Sequence, residues 1–379
     1  YTALHKKNKD YTQNDTVGKA GMEQYYETYL RGKNGERKFY IDNVGRISEI
    51  ISSTDSVAGD DLYLSIDADL QMATYLALQN EIAAIVYSNI KSGEIPINDV
   101  YTALIGNSVI NTEHFSKSKA SDTEKSVLSV FKSRQKTTLG KIKQELTSSP
   151  EALNTMSDEV LDEFTYIISM LKDDQVLLKN EIDTSDSVYQ KWKDQKISPK
   201  EYLNYCITQH WIDISQLNVD EKYADSTEVY DALCKYILKN IKTDTEFSKI
   251  IYQYMITRGE ISPRQLCLIL FDQGVLDYDD ATVNKLKNGS LSPRDFLMKK
   301  IYNIEITPAQ LALEPCTGSC VVTDEKTGEI RAMVSYPGYN SNKLANGVDS
   351  EYFASLQHDK SSPLLNYATQ QKTAPGSTF

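Results

Sequence analysis

The chain has 379 residues, of which 40% are hydrophobic and 25% are charged, and its formal net charge at pH 7 is −12. This length accommodates two or three domains with separate cores, and the composition is that of ordinary globular proteins. The acidic balance disfavours nucleic acid or an anionic membrane surface as a partner of the whole body. The sequence contains no run of about eighteen apolar residues, so it predicts no membrane-spanning helix.

The N-terminal stretch, residues 1–63, is polar and punctuated by glycines. Within it, Met22, Tyr25 and Tyr29 recur at helical spacing and predict one helix over residues 21–30. Residues 39–42 and 46–50 then read as two strands around an Asn-Val-Gly turn. From Leu70 onwards, apolar residues at helical spacing predict a helix of five or six turns.

Residues 91–305 differ in kind, because glycine and proline are sparse and apolar residues recur at helical spacing. We predict a helical domain here. Its helix starts share a hydroxyl cap followed by proline at the first helical position: Ser149-Pro150, Ser198-Pro199, Ser262-Pro263 and Ser292-Pro293. Glu201 and Gln265 are spaced to complete capping boxes. The intervals are too uneven for a solenoid repeat.

No metal site is predicted. The five cysteines and four histidines lack zinc-like spacing. Asp277 and Asp279 alternate like the first two ligands of a calcium loop, but the pattern then fails, which favours a solvated loop or helix face. Cys206, Cys234 and Cys267 lie in apolar helical patterns typical of buried, inert thiols. Cys316 and Cys320 could pair, and their spacing alone does not decide this.

Five tyrosines of the helical stretch are compatible with an interaction surface or with partial burial between helices, and we favour partial burial. They are Tyr223, Tyr230, Tyr236, Tyr252 and Tyr254.

From residue 307 onwards the pattern changes to a short helix over 309–313 and a β-hairpin. Residues 319–324 and 329–335 read as its strands, joined by the turn Glu325-Lys326-Thr327-Gly328.

The last six residues, Ala-Pro-Gly-Ser-Thr-Phe, predict a tight turn into a helix N-terminus. Ser377 would then lie at the positive end of the helix dipole, near free N–H groups that can hold an oxyanion. A lysine directly after Phe379 would place its amine one turn along on the same face, where it can help to take the serine proton. That is the S-x-x-K arrangement.

Taken in order, these stretches resemble class B penicillin-binding proteins. Residues 18–32 are similar to the "GxxGxExxYexxLrG" segment of the non-catalytic pedestal, and residues 61–71 to "dlyLTIDxxLQ", a strand entering the first transpeptidase helix. The hairpin and the residues up to Asn340 are close to "vvxDxkTGeIxAmvSyPxfdxN", and the C-terminus is similar to "PGSTFK". Asn366 and Ala368 approximate the "NrA" before the nucleophile, with Tyr367 where arginine is common and Thr373 where tyrosine is common.

The resemblance implies an α+β multidomain chain. Residues 1–63 would be the pedestal segment, 64–90 the first strand and helix of the transpeptidase domain, 91–305 a large, mainly α-helical insertion, and 306–379 the continued transpeptidase domain, truncated at the nucleophile. We expect the chain to be the N-terminal part of a longer protein, cut inside the S-x-x-K motif and inactive by itself. Lys326-Thr327-Gly328 spells the family's K-T-G motif, but it precedes Ser377, so we interpret it as a structural turn.

The resemblance further implies a peptidoglycan D,D-transpeptidase in which Ser377 is the acyl nucleophile and β-lactam antibiotics acylate the same serine. It implies no metal or organic cofactor. Peptidoglycan stem peptides, a glycan polymerase and other cell-wall proteins would be the partners, at the outer face of the bacterial cytoplasmic membrane, with an N-terminal helix as anchor. Two alternatives stay open: a non-catalytic pedestal and helical scaffold that binds cell-wall synthesis proteins, and a β-lactam sensor or hydrolase. We expect the insertion to be an interaction or spacing element.

Overall fold

A computed structural model of the chain describes residues 6, 11–148, 151–217, 219, 225–345 and 347–372. Helices dominate these residues and are accompanied by two small sheets, so the predicted α+β class is confirmed. The chain divides into two compact units. The first comprises Tyr1–Thr74, Cys320–Val334 and Gly338–Gln357, and the second comprises Tyr75–Ser319, Ser335–Pro337 and His358–Phe379.

The elements follow one another in this order. Two short helices, α1 (Gly21–Tyr25) and α2 (Glu27–Leu30), precede the strands β1 (Glu36–Ile41) and β2 (Ile47–Thr54). The long helical stretch consists of α3 (Ala68–Ser92), α4 (Ile97–Gly106), α5 (Asp122–Thr147), α6 (Asp158–Asp173), α7 (Ser187–Lys193), α8 (Pro199–Thr208), α9 (Ser226–Ile241), α10 (Thr245–Thr257), α11 (Pro263–Asp272), α12 (Asp280–Asn288), α13 (Pro293–Tyr302) and α14 (Pro308–Leu311). The strands β3 (Gly318–Thr323) and β4 (Ile330–Tyr336) and the helices α15 (Ser350–His358) and α16 (Tyr367–Gln370) complete the order.

Strands β1 and β2 form a hairpin where the sequence predicts it. The side chain of Asp42 stabilises the turn between them. Strands β1 and β2 pair antiparallel, with Glu36 opposite Thr54 and Ile41 opposite Ile47. The Asp42 carboxylate accepts hydrogen bonds from the backbone N–H groups of Val44 (2.9 Å) and Arg46 (2.8 Å). Aspartate favours such turns because its side chain satisfies backbone donors that the strands leave free.

Two predictions for the first unit are wrong in detail. Residues 21–30 form two short helices, because Tyr26 adopts φ −100° and ψ 16° between them. The strand implied for residues 61–67 is not formed, although this segment does approach β4. Asp67 N donates to the Arg331 carbonyl at 2.9 Å, and the Ser65 hydroxyl donates to the Ile330 carbonyl at 2.8 Å. One backbone bond and one side-chain bond do not make a ladder.

The helix starts of the second unit follow the predicted capping chemistry. The Ser198, Ser262 and Ser292 hydroxyls each accept a backbone N–H from the third residue of their helix. A complete capping box forms at Ser262 with Gln265, whereas at Ser198 only the serine half is present, so that predicted box is wrong. Further boxes that the sequence analysis did not single out begin at Ser121, Asp225 and Thr307. The Ser149-Pro150 pair lies outside the described residues.

The core of the second unit is aliphatic with aromatic contacts between helices. The Tyr252 ring stacks on Phe131, with centroids 4.2 Å apart, and meets the Phe115 ring edge-on at 5.9 Å. Tyr252 and Tyr230 are fully buried, beyond the predicted partial burial, whereas Tyr236 and Tyr254 are partly buried as expected. Tyr223 lies outside the described residues.

A cluster of charged side chains lies where α5, α6 and the end of α10 meet, with the buried Glu159 at its centre. The Glu159 carboxylate binds the Arg134 guanidinium at 3.1 Å and the Arg258 guanidinium at 2.6 Å. Glu163, one turn further along α6, is only 1% exposed, and its Oε1 has no hydrogen-bond partner among the described residues. Burying a carboxylate without a partner costs free energy unless it is protonated.

Gly140 is the clearest site for a stabilising substitution. It lies within α5, and a Cβ atom added to it would meet no other atom within 4 Å. We therefore expect Gly140→Ala to raise the free energy of unfolding by about 0.5–1 kcal/mol, since alanine is the better helix former. Thermal unfolding followed by circular dichroism measures this gain. Gly106→Ala is the matched control: its added Cβ would overlap the side-chain amide of Gln253, which would have to move, so a smaller gain is expected. An equal gain in both variants would contradict the steric argument.

Candidate active site

The predicted nucleophile, Ser377, and the whole stretch from residue 373 to residue 379 lie outside the described residues. The structure does describe the chain that leads to them, from the end of β4 to Lys372. The residues that fix this approach are Ser335, Tyr367 and Gln71.

Ser335, near the end of β4, ties that strand to the start of α16. Its hydroxyl donates to Asn366 Oδ1 at 3.3 Å and accepts the backbone N–H of Ala368 at 3.1 Å. Asn366 in turn caps α16, because its Oδ1 accepts the N–H of Thr369 at 3.2 Å. One hydroxyl thus joins the strand, the cap and the first turn of the helix that leads towards Ser377.

Tyr367 fixes the same segment from the other side. Its side chain is 9% exposed, and its hydroxyl donates to the Ser361 carbonyl at 2.8 Å. Ser361 is itself buried, and its N–H and hydroxyl both donate to Asp359 Oδ1. Burial raises the pKa of the Tyr367 phenol, so it stays a neutral donor. Tyrosine at this position therefore packs locally in place of the family's common arginine.

Gln71 holds β4 from the side of α3. Its side-chain Nε2 donates to the Met333 carbonyl at 2.7 Å, and its Oε1 accepts the Met333 N–H at 2.7 Å. The amide side chain thereby satisfies both backbone groups of Met333 as a neighbouring strand would.

The K-T-G string is part of a turn. Asp324 Oδ1 accepts the N–H groups of Lys326 (2.8 Å) and Thr327 (3.0 Å), and Gly328 has φ +75°. These hydrogen bonds lower the pKa of the Asp324 carboxyl, which keeps the turn's acceptor ionised. The geometry agrees with the structural interpretation of this string.

The thiols near this region are not paired. Cys316 and Cys320 are both free, and burial raises the pKa of the Cys316 thiol to about 11. A buried, protonated thiol is a poor nucleophile, so Cys316 is not a rival to Ser377.

In the helical stretch, Asp279 serves as the N-cap of α12, accepting the N–H groups of Ala281 and Thr282. Asp279, the second acidic residue of the stretch that begins like a calcium loop, is therefore a helix cap.

The sequence analysis quoted Asn366, Ala368 and Tyr367 and expected Tyr367 to affect local packing only, but it gave no role to Ser335 or Gln71. All five positions lie inside the segments that resemble the family, and this resemblance is the sequence signal that could have identified them. Their roles depend on contacts between segments far apart in sequence, which spacing does not show.

Within the described ranges, no helix is long and apolar enough to cross a membrane. No group of three or more histidine, cysteine, aspartate or glutamate side chains that could hold a metal ion occurs there either.

Two family models match the chain. The penicillin-binding protein dimerisation domain matches residues 2–64, and the penicillin-binding protein transpeptidase domain matches residues 318–379. No solved structure matches the chain.

Three curated relatives are similar to part of the chain. Peptidoglycan D,D-transpeptidase FtsI of Escherichia coli K12 is 35% identical over 118 residues, which is 31% of this chain and 19% of the relative. Peptidoglycan D,D-transpeptidase MrdA of Salmonella typhimurium SL1344 is 33% identical over 95 residues, 24% of this chain and 15% of the relative. Peptidoglycan D,D-transpeptidase PbpA of Mycolicibacterium smegmatis is 44% identical over 68 residues, 17% of this chain and 14% of the relative.

The matched region thus covers about a fifth or less of the length of these relatives. Both domain models and all three relatives nevertheless point to one family. In these segments the chain is similar to class B penicillin-binding proteins.

Proposed function

We propose that the protein containing this chain is a peptidoglycan-cross-linking D,D-transpeptidase with Ser377 as its acyl nucleophile. The observation that carries the proposal is the transpeptidase-domain match, which extends over residues 318–379 and includes Ser377. The relatives' names, each a peptidoglycan D,D-transpeptidase, support the same activity.

The proposed reaction has two acyl transfers. Ser377 Oγ attacks the carbonyl carbon of the penultimate D-alanine of a stem peptide, its proton passes to a base, and the terminal D-alanine leaves as the amine. An amine of a neighbouring stem peptide then attacks the acyl-enzyme, which forms the cross-link and returns the proton to Ser377. A β-lactam acylates the same oxygen when its ring opens. The contacts of Ser335 and Tyr367 would hold the approach to this serine in place.

The finer architecture is part of the proposal. Residues 1–63 would form the non-catalytic pedestal, supported by the dimerisation-domain match. Residues 91–305 would be a helical insertion, because neither family model matches residues 65–317 and this stretch is built from consecutive capped helices. We further propose that the intact protein works at the outer face of the cytoplasmic membrane, held by an N-terminal helix, together with a glycan polymerase.

The activity is tested by incubating the intact protein with a stem peptide ending in D-Ala-D-Ala and an acceptor amine. A transpeptidase releases one D-alanine for each cross-linked product. A non-catalytic scaffold releases none, and a hydrolase releases D-alanine without cross-linked product, so either result would overturn the proposal.

Ser335 provides a test of positioning. We expect Ser335→Ala to slow acylation of the intact protein by penicillin about fivefold, since the lost hydrogen bonds are worth about 1 kcal/mol. The measurement is the second-order rate constant of fluorescent-penicillin labelling, with thermal unfolding measured in parallel.

The matched control is Ser355→Ala on α15, where the hydroxyl donates only to the backbone carbonyl of Tyr352 within its own helix. This variant should label at the unaltered rate. Equal rates for Ser335→Ala and the unaltered protein would show that this hydroxyl does not position the nucleophile.

A further inference from the structure

A basic groove lies between α5 and α9 of the second unit, with a volume of about 520 Å³. Its border carries four exposed lysines: Lys132, Lys136, Lys143 and Lys242. Its floor is apolar and is formed by Leu139, Gly140 and Leu238. The groove therefore combines positive charge at its border with aliphatic surface at its base.

These lysines stand out in a chain whose net charge is −12. Among the described residues, none of the four forms an ion pair with a carboxylate. Ammonium groups grouped around a concave surface repel one another and attract an anionic ligand. The repulsion between these lysines is unfavourable in the free protein, and an anionic ligand bound in the groove would relieve it.

Gly140 is a second, independent indication. A glycine inside a helix is unfavourable, and nothing in the described part of the chain approaches the space where its Cβ would lie. The fold itself therefore gives no steric reason for glycine at this position. Its effect is to lower the floor of the groove, so that a bound chain can approach the α5 backbone closely.

We propose that this groove binds an acidic segment of a partner protein. Carboxylates of the segment would face the lysines, and an aliphatic side chain would lie on Gly140 between Leu139 and Leu238. The apolar floor favours a polypeptide over a purely ionic polymer, because a polymer without apolar groups gains nothing by covering these leucines. The groove belongs to the helical stretch that neither family model matches, so the site is separate from the chemistry proposed for Ser377.

The proposal is tested with the full chain and a fluorescein-labelled helical peptide whose face carries glutamates around a leucine. Fluorescence anisotropy should show binding that weakens as salt is added. Lys132→Glu/Lys136→Glu should weaken it at least ~tenfold, since both charges at the border are reversed.

The matched control is Lys285→Glu/Lys287→Glu on α12, which changes the net charge equally at exposed lysines away from the groove. It should alter the affinity by less than about twofold. Far-UV circular dichroism of each variant verifies that the helices are intact.

The apolar floor is tested by Gly140→Leu, which places a side chain in the groove from a position where an added Cβ meets no atom within 4 Å. It should weaken peptide binding at least ~tenfold while leaving the lysines in place. Absence of peptide binding, or equal binding by the Lys132→Glu/Lys136→Glu variant, would overturn the proposal. So would binding of inorganic polyphosphate or anionic phospholipid vesicles that matches the peptide and is insensitive to Gly140→Leu, since the ligand would then be a polyanion or a membrane surface.

Discussion

Replacing Ser377 with alanine is expected to abolish covalent labelling of the intact protein by fluorescent penicillin. Alanine has no oxygen with which to open the β-lactam ring, so no acyl-enzyme can form. Losing a nucleophile of this kind lowers the rate by a factor of at least ~10³, which takes labelling below detection in a gel assay. Thermal unfolding should be unchanged, because one hydroxyl is removed from a single position.

The adjacent hydroxyl provides the matched control. Thr378→Ala removes an oxygen from the next residue and should leave a labelled protein, because Ser377 keeps its own. Labelling that persists in Ser377→Ala and is lost in Thr378→Ala would assign the nucleophile to threonine. Labelling that persists in both would place the acylated residue elsewhere in the protein.

Local chemistry made much of this fold predictable from the sequence. The hairpin of β3 and β4 depends on a turn whose aspartate and glycine are four residues apart, so its signal is local. The caps at Ser262 and Ser292 likewise depend on three neighbouring positions. The strand implied at residues 61–67 depends on contacts between segments that are far apart in sequence, and this prediction is wrong.

The buried charges illustrate the same limit. Arg134, Glu159 and Arg258 are far apart in sequence, and each alone is typical of a solvated helix face. The burial of Glu159 between the two guanidiniums follows from the packing of three helices, which no periodicity of a single helix reveals. For the candidate site, the motif located Asn366, but the hydroxyl that binds it belongs to β4, more than thirty positions earlier.

Glu163 is expected to make stability depend on pH. Desolvation by burial, followed by repulsion from Glu159, raises its pKa to about 8 from an ordinary 4.5. Asp162 adds to the repulsion, whereas Lys141 and Arg134 act in the opposite direction. Glu159 already receives both guanidiniums, so Glu163 is left as the protonated member of the pair.

The sign of the effect follows from proton binding. Between pH 4.5 and 8 the folded protein keeps a proton on Glu163 that the unfolded chain releases. The free energy of unfolding therefore falls as pH rises through this window, and the contribution of Glu163 is fully present only below the unfolded pKa. A shift of this size corresponds to about 3 kcal/mol at pH 7, as an upper bound.

Glu163→Gln keeps the shape of the protonated acid and cannot ionise. We expect it to match the unaltered protein at pH 4.5 and to be more stable by about 1–3 kcal/mol at pH 8, a gain of several degrees in the melting temperature. Glu94→Gln, at an exposed position after α3, is the control and should change stability at neither pH. Helix melting followed by circular dichroism across this range provides the comparison. A Glu163→Gln variant that is destabilised equally at every pH would mean that Glu163 is ionised and paired in the folded protein, and that the buried cluster is held together by its charge.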